Sequence, residues 1–227
     1  MVQSVADLSS YAVEARALKE YQERGWTILP RHVPQAAIDG LSTECDRLWS
    51  QSELFLERGT IENSSPRTDR LDPVCDISEE FSQLVGPCGQ IAAQFLKATC
   101  RLVKNKLIYK PAGAVGYGLH QDFAYYQDFG FEPGDACTIC VCIDSSNEAS
   151  GSIEFAVGSD WSLLTPRGMV CDPPADSFEQ YEPAIAHSGD VLVFSTTVPH
   201  RSGPNLSTAS RRMFYLLFAV VSPALSE

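Results

Sequence analysis

The sequence predicts a mainly β molecule with helices gathered at its N-terminal end, an antiparallel sandwich or barrel packed against those helices. Three observations predict it. In the first hundred residues, apolar side chains recur at spacings of three and four. From Lys106 onward, short apolar runs alternate with turns rich in Gly and Pro. No internal repeat and no Gly/Ser linker divides the chain, and 227 residues, 44% hydrophobic, suit one substantial core. The expectation is one domain over 1–227, helical to about 105, with its β core over about 106–222.

Each element has its own signal. Val13, Ala17, Leu18 and Tyr21 share one face of a first helix, and Trp26–Leu29 is a short extended piece. Pro34 suits the first turn of a second helix, carried by Ile38, Leu41, Cys45 and Leu48. Ile91, Phe95, Thr99 and Leu102 predict a third. Arg58 to Asp72, polar and containing Pro66, Arg67 and Arg70, reads as a long loop of the kind that serves as a lid or binding segment. Strands are predicted at Leu107–Tyr109, Ala136–Ile143, Ile153–Val157, Val191–Phe194 and Met213–Val221. Pro111-Ala-Gly113, Pro133-Gly134, Ser188-Gly189-Asp190 and Gly203-Pro204-Asn205 punctuate the gaps.

Charge narrows the function. Seventeen Lys and Arg against 29 Asp and Glu leave a net charge of −12. A nucleic-acid binder needs a basic footprint, and an anionic membrane surface would repel this field. No apolar run reaches the ~18 residues of a membrane span. A small-molecule substrate is the expected partner. Residues 1–10 show no basic segment followed by an apolar one, so a cytoplasmic location with reduced thiols is expected for the 8 Cys. Cys137-Thr-Ile-Cys140 is formally a CxxC, but it lies inside a predicted apolar strand and reads as buried, inert thiols.

Only four His are present: His32, His120, His187 and His200. His120-Gln121-Asp122 is an H-x-D. On an extended strand, residues i and i+2 share a face, so an imidazole and a carboxylate stand side by side. With a distant second His they form the two-His, one-carboxylate facial triad of non-haem Fe(II) oxygenases, which leaves three positions open on the metal. The distant candidates are His200, after the Val191–Phe194 strand and a turn, and His187, which reads as an exposed loop residue before that strand. His32, between two predicted helices, reads as solvated. Arg211 and Arg212 open the last apolar strand. A guanidinium facing the core there needs a partner and suits bidentate capture of a carboxylate, while its neighbour sits at a strand end in water.

Taken together, these residues resemble the phytanoyl-CoA dioxygenase family of Fe(II)/2-oxoglutarate-dependent oxygenases. Lys106-Leu-Ile-Tyr-Lys-Pro111 resembles the family's strand leading into the site, and Gly118-Leu-His-Gln-Asp122 its H-Q-D motif. Ser150-Gly-Ser-Ile153 with Val157-Gly-Ser159 resembles its N-G-x-L…P-G-S segment. His200-Arg-Ser-Gly-Pro-Asn205 followed by Arg211 resembles its H-x-S-x-x-N…R terminus. Gly25-Trp-Thr-Ile-Leu29 and the helix after it resemble the N-terminal region. Arg58–Asp72 and Leu163–Tyr181 are the least alike.

The resemblance implies a double-stranded β-helix core, the jelly roll of cupin-like proteins, packed against the N-terminal helices. It implies Fe(II) held by His120, Asp122 and His200, with 2-oxoglutarate and O2 as cosubstrates and succinate and CO2 released. Arg211, eleven positions after His200, matches the partner of the distal 2-oxoglutarate carboxylate; Ser202 matches an assisting hydroxyl, Gln121 of the H-Q-D motif is a third candidate for cofactor binding, and Asn205 matches a further motif position. Phe123, Tyr125, Tyr126 and Phe129 follow the metal motif and are candidates to line the substrate pocket, where an aromatic rim suits an alkylammonium group. Arg67 and Arg70 are candidates to meet an anionic one. Where the family often has a His after the P-G-S turn this chain has Asp160, and Val157 stands in place of Pro, which bears on specificity. Asp122 is intact, so the pattern is that of a hydroxylase and not of a halogenase, in which a small residue replaces the carboxylate. A CoA thioester, with its several phosphates, suits this acidic chain poorly, and a small metabolite or natural-product intermediate suits it better. A cupin-type metalloenzyme without 2-oxoglutarate is the alternative that Arg211 argues against. A non-catalytic jelly-roll binding module has no reason to carry two His and an Asp in this order.

Overall fold

The computed structural model describes residues 12–51, 56–60, 63–158, 166–167, 170–171 and 178–221, and the side chains within 12–51, 70–126, 128–158 and 178–221. The N-terminal elements follow the apolar spacing. Helix α1 (Ala15–Arg24) ends at Gly25, whose φ of 77° lets its N–H reach the Tyr21 carbonyl. Strand β1 (Trp26–Leu29) follows, and Pro34 precedes helix α2 (Gln35–Trp49), which buries Ile38, Leu41, Cys45 and Leu48.

The segment 58–72 corrects the sequence reading. It is not a loop: β2 (Leu56–Thr60) and β3 (Asn63–Leu71) pair as an antiparallel hairpin at a sheet edge, and β3 pairs in turn with the next strand of the sheet. The short helix α3 (Glu79–Ser82) and helix α4 (Val85–Leu96) come next. The third helix is also shorter than predicted. Lys97, at φ 52°, ends α4, and Thr99 and Leu102 fall outside it because Cys100–Lys110 extends as β4 along the last strand of the fold.

The remaining elements are β5 (Tyr117–His120), the single turn α5 (Phe123–Tyr126), β6 (Ala136–Cys142), β7 (Ile153–Ala156), β8 (Pro166–Arg167), β9 (Val170–Cys171), β10 (Tyr181–Pro183), β11 (Val191–Ser195), β12 (His200–Ser202) and β13 (Arg211–Val220). Seven strands form the larger sheet in the order β1-β11-β6-β13-β4-β3-β2, and four form the smaller in the order β10-β7-β12-β5. The pairings within these two sheets are antiparallel, and together they make the jelly roll.

Two cores explain why β6, β11 and β13 are apolar at nearly every position instead of alternating. Val191, Val193, Phe214, Leu216, Ile139 and Val141 face the helices, where Phe81 packs edge-on against Phe214 and Trp49 stacks on Tyr109. Their neighbours Leu192, Phe194, Met213, Tyr215, Cys140 and Cys142 face the smaller sheet. Both faces of these three strands are therefore buried, and continuous apolar runs follow. Cys137 and Cys140 are free thiols of β6. His32 is buried, 8% exposed, and not solvated as its polar neighbours imply; the connection from β1 to α2 is drawn in by the bond from Val33 N–H to the Gly189 carbonyl.

Candidate active site

Register brings the two distant motifs together. In the smaller sheet β12 lies between β7 and β5, and His200 stands directly opposite His120. Their rings are 4.2 Å apart between centroids. Asp122 follows two residues after His120, and one donor atom from each of His120, Asp122 and His200 lies within 4.8 Å of the other two.

Hydrogen bonds orient all three. His120 Nδ1 donates to the Gly118 carbonyl at 2.8 Å and His200 Nδ1 to the Val198 carbonyl at 3.0 Å. A carbonyl oxygen only accepts, so each Nδ1 carries the hydrogen and each Nε2 keeps a free lone pair. Thr138 Oγ1 donates to Asp122 Oδ2 at 2.9 Å, and Oδ1 lies 3.8 Å from His120 Nε2. Burial, reinforced by His200, pushes the His120 imidazole down to about 3, and burial also lowers His200. Both rings are thus neutral at neutral pH, the state in which an imidazole can ligate a metal. Burial works against charge on Asp122, but His200, Lys106, His120 and the Thr138 hydroxyl outweigh it and hold the carboxyl below its ordinary value. Phe155 and Phe194 pack against His200 and shield that side of the site from water.

The three donors open on a cavity of about 410 Å3, including its mouth, lined also by Lys106, Ile108, Tyr117, Ser202, Arg211 and Tyr215. Arg211 is 1% exposed. Its Nη1 meets Met213 Sδ at 3.0 Å, its Nε has no partner, and no carboxylate pairs with it among the described residues. An unpaired buried guanidinium is costly, and a ligand carboxylate in this cavity removes the cost. Ser202 Oγ beside it accepts from Lys110 Nζ at 3.2 Å. Lys110 also holds the Gly151 and Gly203 carbonyls, tying β12 to the larger sheet. The donor set thus fits a first-row divalent metal, and Arg211 fits an anionic cosubstrate in the same space.

Arg212 faces the other way. It forms a two-pronged pair with Asp144 at 2.7 and 2.8 Å and reaches Asp46 and Ser42 of α2, so this neighbour is bound to protein and does not sit in water. Gln121 is buried and donates to the Thr197 carbonyl; it is not among the lining residues. Asn205, fully buried, donates to the Lys110 and Ala209 carbonyls and shapes the turn before β13. Phe123 packs edge-on against Phe131 in a small apolar cluster rather than in the cavity. Tyr125 stands edge-on to His120 and is 37% exposed, Tyr126 lines a smaller adjoining cavity, and Phe129 is exposed. Arg70 lies 3.7 Å from Asp72. The side chain of Arg67, and Asp160, lie outside the described residues, and His187 is exposed before β11.

Thr138 and Lys106 are site residues that the sequence reading passes over. Each is a polar residue at a position of a buried strand that faces inward, and that mismatch is the signal that finds them.

Comparison with known proteins agrees with this geometry. The chain is 30% identical over 138 residues to a 2-aminoethylphosphonate dioxygenase from an uncultured bacterium, HF130_AEPn_1. That alignment covers 58% of this chain and 52% of the relative, so it spans about half of that protein's length. It is 24% identical over 209 residues to a methylphosphonate hydroxylase from Gimesia maris, covering 88% of this chain and 78% of the relative. The fold superposes on the crystal structure of EvdO2 from Micromonospora carbonacea var. aurantiaca complexed with 2-oxoglutarate, with a TM-score of 0.70, 21% identity and 96% and 95% of the two chains covered. The model of the phytanoyl-CoA dioxygenase (PhyH) family matches residues 21–213, most of the chain. With that match added to two His and an Asp converging beside a buried arginine, the chain belongs to the phytanoyl-CoA dioxygenase (PhyH) family.

Proposed function

We propose that this chain is an Fe(II)- and 2-oxoglutarate-dependent dioxygenase that hydroxylates, or otherwise oxidises, a small metabolite. His120, Asp122 and His200 hold the iron, and Arg211, assisted by Ser202, holds the distal carboxylate of 2-oxoglutarate. The observation that carries the reading is one cavity shared by three oriented donors and a buried guanidinium without a carboxylate. When bound, iron and 2-oxoglutarate supply the oxidising chemistry, with O2 consumed and succinate and CO2 released.

The protein's own groups prepare that chemistry. The Gly118 and Val198 carbonyls fix the two imidazoles with Nε2 toward the cavity. Thr138 occupies one oxygen of Asp122 and leaves the other for the metal. Arg211 and Ser202 orient the cosubstrate from the opposite end. Phe155 and Phe194 keep water from the back of His200. The two relatives, named for action on 2-aminoethylphosphonate and methylphosphonate, support a compact polar substrate over a CoA thioester.

Equilibrium dialysis with Fe(II), paired with a 2-oxoglutarate consumption assay, tests the ligand set. His120→Ala, Asp122→Ala and His200→Ala each remove one ligand, and loss of both stoichiometric iron and turnover is expected. His187→Ala should retain both. Full activity in His200→Ala with a dead His187→Ala contradicts the assignment.

A further inference from the structure

Strand β4 carries an unusual charge pattern on its inward face. Lys104, Lys106, Ile108 and Lys110 lie on one side of the strand, and Ile108 belongs to the core between the two sheets. Lysines on such a face need compensation. Lys110 has the Gly151, Ser202 and Gly203 oxygens, and Lys104 pairs with Asp72 at 2.9 Å, a carboxylate it shares with Arg70. Lys106 has neither. Among the described residues it makes no hydrogen bond and no ion pair, and its Nζ stands 5.3 Å above the Tyr215 ring. It lines both the main cavity and the adjoining one formed with Lys104, Asp122, Tyr126, Thr138, Tyr215 and Leu217.

Burial lowers the Lys106 ammonium, Arg70 and Lys104 lower it further, and Asp122 and Asp72 raise it. Asp72 already serves Lys104 and Arg70. On the proposed reading Asp122 is a metal ligand, so Lys106 is left without a carboxylate once iron is bound. The cosubstrate does not supply one. In the β4–β13 ladder Arg211 lies opposite Lys110 and Tyr215 opposite Lys106, four positions apart, or ~13 Å along the strand at ~3.3 Å per residue. A five-carbon dicarboxylate anchored on Arg211 spans about half of that, and its other end goes to the metal.

We propose that Lys106 receives the anionic group of the substrate, so that this site takes a compact organic anion, a phosphonate or a carboxylate, held on the far side of Asp122 from Arg211. The proposal rests on the Fe(II)/2-oxoglutarate reading and deepens it. It also accounts for a locally cationic cavity wall in a chain of net charge −12.

The test is anaerobic calorimetry on the Fe(II)- and 2-oxoglutarate-loaded protein, with methylphosphonate, 2-aminoethylphosphonate and propionate as probes and propanol as the uncharged comparison. At least one anion should bind and propanol should not; the phosphonates against propionate tell which anion the site prefers. Lys106→Met should weaken anion binding about tenfold or more, Lys106→Arg should keep most of it, and 2-oxoglutarate affinity should stay within a few-fold in both. Because a half-buried ammonium without an ion-pair partner among the described residues is removed, Lys106→Met should also melt no lower than the parent. Failure of every anion to bind a protein that does take up Fe(II) and 2-oxoglutarate overturns the proposal and leaves the broader reading standing. An equal loss of 2-oxoglutarate affinity in Lys106→Met overturns it too, and makes Lys106 a cosubstrate residue. A parent protein that never takes up 2-oxoglutarate overturns both.

Discussion

Adjacent arginines at the start of β13 meet opposite surroundings because neighbouring side chains of a strand point to opposite faces. Arg211 turns into the cavity without a carboxylate, and Arg212 turns to α2 and Asp144. Loss of one partner from a buried, charge-assisted pair costs about 2–5 kcal/mol. At ~1.4 kcal/mol per tenfold, Arg211→Ala should weaken 2-oxoglutarate roughly thirtyfold or more and leave Fe(II) affinity nearly unchanged. Arg212→Ala should leave 2-oxoglutarate within a few-fold but lower stability by about 2–3 kcal/mol, because Asp144 loses its bidentate partner. Saturation curves and denaturant titrations on both variants separate the two roles, and a reversed pattern would mean that the register is off by one. Thr138→Val keeps the volume but frees Asp122 Oδ2, and Fe(II) should bind about 10–100-fold more weakly with the melting temperature little changed. Metal-binding isotherms read this directly. The sequence motif names His120, Asp122 and His200 because their chemistry is unusual for a strand. It passes over Thr138 because a single hydroxyl in the run Ala136–Ile143 looks like ordinary strand composition.

At the scale of elements, the site depends on three short strands held in register, β5, β12 and β7. Gly116 lies just before β5, and a Cβ there would clash with the Ser202 carbonyl of β12. Gly116→Ala must push the two strands apart. It should cost about 1–3 kcal/mol and weaken iron binding through the displaced histidines, although it touches no proposed ligand. Melting curves and iron binding measured together check it; a variant as stable and as iron-tight as the parent would show that the approach is not constrained. Elements with a periodic apolar face, α1 and α2, and those with a continuous apolar run, β6, β11 and β13, were legible in the sequence. The hairpin β2–β3 was not, because a polar edge strand is made by backbone pairing and leaves no apolar pattern to read. The end of α4 was misread for a related reason: Thr99 and Leu102 keep a helical spacing with Ile91 and Phe95 by coincidence, while β4 recruits them into the larger sheet.

For the molecule as a whole, the fold withdraws His32, His120 and His200 from water and leaves His187 exposed. No helix of the described residues is long and apolar enough to cross a membrane. His32, His120 and His200 are all held below the ordinary imidazole value by burial. In the unfolded chain each titrates near ~6.5. On acidification below that value the unfolded state takes up protons that the folded state refuses, so stability falls as pH drops toward the low folded-state values. At about pH 5 the loss is about 2 kcal/mol for each histidine that stays neutral. Denaturant titrations of the metal-free protein at about pH 7.5 and 5 check this, and equal stability at both would contradict the neutral, buried state of these rings. On the proposed function, the three donors and Arg211 form one centre for Fe(II) and 2-oxoglutarate. Its most direct test is an anaerobic titration with Fe(II) and then 2-oxoglutarate, followed by visible absorption. A charge-transfer band is expected that saturates at one 2-oxoglutarate per iron and needs far more cosubstrate in Arg211→Ala. Iron bound at His120, Asp122 and His200 with no band at any 2-oxoglutarate concentration would contradict it and favour a metalloenzyme that uses no 2-oxoglutarate.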